Sequence, residues 1–235
     1  TPCGTLFPYT TLFRSGEEDF MAEVSIGRAA VDTPAEVQTF IAKNIAYQTA
    51  PVAADVATAL MAGEDLGWIT WGADLKEEIR VGTSYNPPMP QNFLVDTLYD
   101  RPGYSWNQSQ LSSYINQGKH LINHMGHAGV NYMMKYSTGN VNTFTITNNG
   151  VNDNHNIIYS QGCYCGSFDN RNSMGQASSV DCITEKFVTI ETGPVAMLTN
   201  SRYGWGNMQG TNGPSQFYDR EFFDALLAHY TQVEN

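Results

Sequence analysis

Short runs of apolar residues, each bounded by turn residues, recur along this chain and constrain its fold more than any other feature. Strands are predicted at residues 23–29, 56–62, 93–99, 120–124, 157–160 and 195–200. Continuous apolar runs of this length are typical of strands that are buried on both faces of a parallel sheet. Helical patterns separate them, at residues 33–46, 107–116, 180–189 and 215–230. The alternation predicts an α/β fold, with helices covering both faces of a mostly parallel sheet in three layers.

The first helix has the most complete start signal in the chain. Thr33, Pro34 and Glu36 combine an N-cap hydroxyl, a proline at the first helical position and an acid at the third. This pattern satisfies free amide groups at a helix N-terminus and is typical of a capping box. We therefore expect the helix to begin at Pro34.

Two of the apolar runs end in glycine-bearing turns that each present one reactive residue. The run before His127 ends in Met125 and Gly126, and the run before Cys163 ends in Gln161 and Gly162. Parallel sheets bind substrates beyond the carboxyl ends of their strands, so both turns are expected at the same edge. Glu64 and Trp205 also follow predicted strands, and the pattern therefore brings four candidate residues to one place.

A cysteine beside a histidine predicts nucleophilic catalysis. A thiol attacks a carbonyl as its thiolate, and a nearby imidazole favours that form. Taken alone, Cys163 would more often be a small buried hydrophobe, and the His127 turn is what argues for catalysis. Cys165 is the alternative nucleophile.

The chain resembles the gingipain family of caspase-like cysteine peptidases. The resemblance rests on Gly126-His127-Ala128-Gly129, on Gly162-Cys163-Tyr164-Cys165-Gly166, on residues 23–28 and on residues 200–205, and it covers roughly 200 residues. The family's histidine turn usually reads Gly-His-Gly, whereas this chain has Ala128. The resemblance implies a caspase-like α/β/α fold and hydrolysis of peptide bonds through a dyad of Cys163 and His127.

The resemblance also implies roles for further residues. Glu64 matches the acid near the catalytic imidazole, Asp74 matches the acid that meets a basic P1 side chain, and Trp205 matches the aromatic wall of the same pocket. Backbone amides around Cys163 and the turn that begins at Gly126 would form the oxyanion hole, with Gly162 at the substrate. Cleavage after Arg or Lys is thus expected, and a hydrophobic P1 is the alternative.

The ends of the chain carry separate expectations. Residues 5–15 resemble the translation of a sequencing adapter, so we predict that residues 1–15 are an artefact and that residues 16–235 form one peptidase domain. The resemblance implies that this domain is incomplete at both ends, and that a propeptide and C-terminal domains are missing. It further implies secretion by a bacterium, or a place on its surface. No organic cofactor is expected, and structural calcium is implied without assigned ligands.

Charge and cysteine content bound the function classes. The formal net charge of −11 disfavours nucleic acid as a partner, which leaves protein or peptide substrates. No run approaches the length of a membrane span. A disulfide between Cys165 and Cys182 would leave Cys163 free.

Two other functional classes stay open from the sequence. A catalytically inactive, secreted binding domain would explain Ala128. A zinc hydrolase would use His120, His124 and His127, but strand geometry turns His127 away from the other two, and no metal is assigned.

Overall fold

A five-stranded parallel sheet forms the centre of the protein. The computed structural model describes residues 27–177 and 180–233. The sheet has the strand order β2-β1-β3-β6-β7, with β1 at Thr58–Gly63, β2 at Leu94–Tyr99, β3 at Leu121–Met125, β6 at Ile157–Ser160 and β7 at Ala196–Thr199. Two short strands, β4 at Tyr132–Met133 and β5 at Tyr136–Ser137, form a separate antiparallel pair. The predicted parallel α/β fold is confirmed, while most of the predicted strand at residues 23–29 lies outside the described residues.

Five α-helices accompany the sheet in the described part of the chain. They are α1 at Pro34–Thr49, α2 at Gly72–Val81, α3 at Gln108–Asn116, α4 at Ile183–Thr189 and α5 at Pro214–Val233. The predicted capping box is present, because Thr33 accepts from the Glu36 amide while the Glu36 carboxylate accepts from the Thr33 amide. Helix α2 was not predicted from the sequence. Its charged residues conceal a buried face formed by Ala73, Leu75 and Ile79.

The two faces of the sheet build two separate cores. One face packs Leu60, Ile122 and Ile158 with Trp106 and with Phe187 of α4. The opposite face packs residues that alternate with these, together with side chains of α2 and α5: Ala59, Met61, Ile79, Leu121 and Phe223. Adjacent strand residues thus serve opposite cores, as expected of a sheet that is covered on both sides.

A buried ion pair fastens α2 and α5 to the centre of the sheet. Lys76 Nζ lies 2.6 Å from a carboxylate oxygen of Asp219, and both side chains are fully buried. Asn123 of β3 completes the group, because its amide oxygen accepts from Lys76 and its amide nitrogen donates to Asp219. These contacts fix α5 against the sheet, and with it the end of the loop that leads from β7 into α5.

Candidate active site

The parallel pairing of β3 and β6 sets the positions of His127 and Cys163. His124 is the register partner of Ser160, and each candidate residue lies three positions farther along its own strand. The pairing continues past the strands, since the Gln161 amide donates to the His124 carbonyl at 3.0 Å. The two turns therefore leave the sheet side by side, as the sequence analysis expected.

Ala128 and Gly162 bring the two turns into contact. A Cβ atom added to Gly162 would lie only 2.5 Å from the Ala128 Cβ, far inside normal contact distance. The residue after His127 thus packs directly on the residue before Cys163, and the missing side chain at Gly162 makes room for the Ala128 methyl group. This contact accommodates the departure from the family's Gly-His-Gly turn.

Cys163 is partly buried and its thiol faces the loop after β7. Its Sγ lies 3.3 Å from the Gly204 amide nitrogen, which donates to it, and 3.7 Å from the Gly204 carbonyl. Tyr164 adopts a left-handed φ of 56° and donates its amide to the Arg202 carbonyl at 2.7 Å. A non-glycine residue in this region is uncommon and is found where the surrounding structure holds a turn in place. The strained turn therefore fixes the thiol against Gly204.

His127 is exposed and oriented by a backbone carbonyl. Its Nε2 lies 3.2 Å from the Leu66 carbonyl oxygen, which can only accept, so Nε2 carries a proton. In the neutral ring Nδ1 is then the free base. A histidine held in this way can exchange a proton at Nδ1 without losing its orientation.

Glu64 contacts a different histidine from the one expected. Its carboxylate oxygen lies 3.0 Å from Nε2 of His124, and both side chains are buried. Gly126 lies over this pair, since a Cβ there would be 2.4 Å from the Glu64 carboxyl carbon and 2.5 Å from His124 Nε2. The difference arises because His124 is on β3 beside Glu64, whereas His127 lies beyond the strand at the surface.

Asp74 is engaged in contacts that the sequence did not reveal. As the third residue of α2 it accepts from the Trp71 amide at 2.9 Å, and its other oxygen pairs with Arg101 at 2.7 Å. Both carboxylate oxygens therefore have partners within the protein.

Trp205 presents its ring to solvent one residue after the contact with Cys163. It is 65% exposed, and it follows Gly204, the residue that contacts Cys163. Its backbone is fixed to the start of α5, because its amide donates to the Ser215 hydroxyl and its carbonyl accepts from the Ser215 amide. The start of α5 thus sets the position of the Trp205 backbone.

Trp68 lies against the loop that carries Trp205. It packs against Gly206, where a Cβ would be 2.6 Å from its ring. Trp68 also packs against a small buried cluster of Leu66, Leu75 and Met125. The loop that contacts Cys163 thus carries Trp205, while Asp74 is paired with Arg101.

The other cysteines lie in the protein core. Cys165 and Cys182 are fully buried and free, so the disulfide considered between them is not formed in this structure. Burial raises the pKa of each thiol to about 12. Cys165 is therefore a poor nucleophile, and the Gly162 carbonyl accepts from its thiol at 3.3 Å.

The described histidines do not form a metal site. His120 lies between the Tyr47 hydroxyl and the Val56 carbonyl, and His124 lies between Glu64 and Ser160. Among the residues that the structure describes, no group of three His, Cys, Asp or Glu side chains could hold a metal ion. Calcium binding stays a prediction on which no chemistry here depends.

Two solved structures that share the fold are gingipains. The complex of the pro- and mature domains of Porphyromonas gingivalis RgpB matches with a TM-score of 0.64 and 19% identity over 87% of this chain. The Arg-specific cysteine proteinase gingipain R matches with a TM-score of 0.64 and 18% identity over 91% of this chain. The chain spans 45% and 46% of the lengths of those two chains.

Comparison of sequences gives the family. No curated protein sequence matches the chain significantly. The profile of Peptidase family C25 matches residues 7–234, a range that begins within the segment interpreted above as an adapter. The chain belongs to Peptidase family C25, the gingipain family of cysteine peptidases.

Proposed function

We propose that this protein is a cysteine endopeptidase that uses Cys163 as nucleophile and His127 as general acid and base. The observation that carries the proposal is the contact between Ala128 and Gly162, which joins the two turns. The family membership supports the same chemistry. The single exposed imidazole and the single partly exposed thiol of the described edge both project from these turns.

The reaction is an acyl transfer in two steps. Nδ1 of His127 takes the Cys163 thiol proton, and the resulting thiolate attacks the scissile carbonyl carbon and forms a tetrahedral intermediate. The His127 imidazolium then gives this proton to the departing amine as the C–N bond breaks. Water, deprotonated by His127, then attacks the thioester and releases the acid product together with the thiol. The hydrogen bond from Nε2 to the Leu66 carbonyl leaves Nδ1 to carry the proton.

The Cys163 backbone amide is proposed as a donor to the developing oxyanion. The amides of Gly162, Tyr164 and Gly129 are used, since they donate to the Ser160 hydroxyl, the Arg202 carbonyl and the Tyr132 carbonyl. The Cys163 amide has no acceptor among the described residues. Amide groups aimed at the position of the charge stabilise such intermediates, so Cys163 itself is the proposed donor.

The preferred P1 residue is proposed to lie against Trp205. Cleavage after Arg or Lys, expected from the resemblance, requires a free acid near the P1 side chain, and a cation can stack on an indole face. However, Asp74 is already paired with Arg101 and caps α2. The exposed ring of Trp205 and the engagement of Asp74 within the protein therefore favour the alternative, an apolar P1 side chain.

Cleavage of a mixed peptide library decides between these P1 preferences. A basic preference that disappears in Asp74→Asn would support the pocket inferred from the resemblance. An apolar preference that Asp74→Asn leaves unchanged and Trp205→Ala weakens would support the apolar pocket. Either result leaves the peptidase assignment itself intact.

Substitution of the nucleophile tests the proposed activity. Cys163→Ala should reduce the rate of peptide hydrolysis by several orders of magnitude, because it removes the nucleophile of the proposed dyad. The fold should be retained, because Cys163 is only partly buried. Cys165→Ala is the matched control and should retain most of the activity. An inactive binding domain, the second candidate, would show no hydrolysis in the parent protein and no difference in Cys163→Ala.

Location and partners are further parts of the proposal. The gingipain comparison includes a structure of pro- and mature domains, which supports activation by removal of a propeptide. Among the described helices, none is long and apolar enough to cross a bilayer. Secretion by a bacterium, with protein or peptide substrates, is tested by assaying the culture medium and cell surface for the protein.

A further inference from the structure

A buried chain of hydrogen bonds runs from Glu64 to the turn that carries Cys163. Nε2 of His124 lies 3.0 Å from the Glu64 carboxylate, and Nδ1 lies 2.8 Å from the Ser160 hydroxyl. The Ser160 hydroxyl also accepts from the Gly162 amide at 3.2 Å. The chain therefore ends one residue before the nucleophile.

The direction of each hydrogen bond follows from the chemistry of the groups. An ionised carboxylate only accepts, so His124 donates from Nε2. The Gly162 amide only donates, which leaves the Ser160 proton free to point at Nδ1 of His124. Each member of the chain thus has a partner when His124 is neutral.

The same three side chains have the composition of a serine hydrolase triad, but their burial excludes that role. His124 is 0% exposed and Ser160 is 2% exposed, so no substrate reaches the hydroxyl. The acid also contacts Nε2 and the serine contacts Nδ1, which reverses the usual arrangement. The group is therefore suited to holding structure and not to attacking a carbonyl.

We propose that His124 and Ser160 are positioning residues for the proposed peptidase reaction. Through the Gly162 amide they fix the turn that places the Cys163 thiol against Gly204 and beside the His127 turn. Glu64 acts on the nucleophile's turn through His124 and not on the His127 ring. The expected change in kcat rests on the proposed function. The expected change in the reactivity of the Cys163 thiol does not.

Removal of the Ser160 hydroxyl is the central test. Ser160→Ala leaves the buried Gly162 amide without its acceptor. The free-energy cost of this loss corresponds to about a tenfold decrease in the fraction of molecules whose Cys163 thiol is correctly positioned. We expect kcat to fall about tenfold or more with KM changed less than about threefold. The alkylation rate of Cys163 by iodoacetamide at neutral pH, read by peptide mass analysis, should change by a similar factor.

A matched control separates this role from general loss of packing. Ser112→Ala removes another buried hydroxyl, which bonds to Tyr136 in the core away from Cys163. It should leave both kcat and the alkylation rate within about twofold of the parent. Near-ultraviolet circular dichroism and urea unfolding check that both variants are folded.

His124→Phe is the second variant, because it keeps a planar aromatic ring at this position and removes both hydrogen bonds. Parent-like kcat and alkylation in folded Ser160→Ala or His124→Phe would overturn the proposal. A change in the pH dependence of kcat/KM in Glu64→Gln that Ser160→Ala does not share would also overturn it, because Glu64 would then act on His127 directly. If the parent hydrolyses no peptide, the proposed function fails, and the alkylation rates still decide the positioning role.

Discussion

The methyl group of Ala128 occupies space that the turn before Cys163 leaves empty. Gly162 supplies that space, and the Ser160 hydroxyl lies 3.3 Å from the position of its missing Cβ. The pair behaves as one packing unit, since a methyl group fits at either residue only when the other lacks one.

We predict that Gly162→Ala impairs the protein and that Ala128→Gly rescues it. The added Cβ would overlap the Ala128 methyl group at 2.5 Å, and such overpacking typically costs about 1–3 kcal/mol. Urea unfolding and kcat/KM of both single variants and the double variant measure the coupling. Additive effects in the double variant would contradict the prediction.

Individual site residues were only partly predictable from the sequence. His127 and Cys163 stand out because each follows an apolar run and a glycine, and parallel strands bring such turns together. The histidine that pairs with Glu64 could not be predicted, because the pairing depends on which histidine is buried next to Glu64 in the folded protein. For His124 the sequence indicated only its place in a strand, and a histidine in a strand does not by itself predict a functional role. The pairing of Asp74 with Arg101 could not be predicted, because it joins residues that are distant in sequence.

At the scale of elements, α2 and α5 are held together by polar groups and not only by apolar packing. Lys76 and Asp219 are both fully buried, and Arg220 of α5 also pairs with Glu78 of α2. Burial lowers the pKa of Lys76, while Asp219 opposes that shift. The loop with Gly204 and Trp205 is hydrogen-bonded to the start of α5. Loss of the contact between α2 and α5 should therefore displace the loop that contacts Cys163.

We predict that Asp219→Asn destabilises the fold by about 3–5 kcal/mol, because it leaves Lys76 buried without a counter-charge. Urea unfolding followed by circular dichroism measures the loss. Arg80→Ala is the matched control on the same helix, since Arg80 pairs with Glu77 at the partly exposed surface and should contribute within about 1 kcal/mol. A loss in Asp219→Asn no larger than that of the control would refute the prediction.

The elements differed in how clearly the sequence marked them. Strands β1, β2, β3, β6 and β7 and helix α1 were predicted to within a few residues, since apolar runs and a capping box are local signals. Helix α2 was missed because its buried face includes Lys76, a residue that binary patterning assigns to the surface. The pairing that makes this burial tolerable comes from α5, more than a hundred residues away.

At the scale of the whole molecule, acid should weaken the fold through a buried histidine. His155 is 3% exposed, and burial, together with the charge of Lys43, lowers its pKa from 6.5 to about 4. The unfolded chain takes up a proton at this residue below pH 6.5, whereas the native protein does so only near pH 4. The stability that depends on neutral His155 is therefore complete above pH 6.5 and is lost as the pH falls toward 4.

We predict that His155→Asn flattens this acid dependence. One proton bound only by the unfolded state corresponds to about 1.4 kcal/mol of unfolding free energy per pH unit. Urea titrations at several pH values between 4 and 7 measure the slope for the parent and the variant. Equal slopes in the two proteins would show that other groups govern acid unfolding.

The contact between Ala128 and Gly162 also limits how this lineage can change. A descendant that moves the methyl group from one turn to the other by single substitutions must pass through an intermediate with either two methyl groups or none. The first intermediate is crowded and the second is merely looser, so the permitted route runs through glycine at both residues. Members of the family are therefore expected to vary at these two places in a correlated way, with small residues exchanged between the turns and never enlarged together.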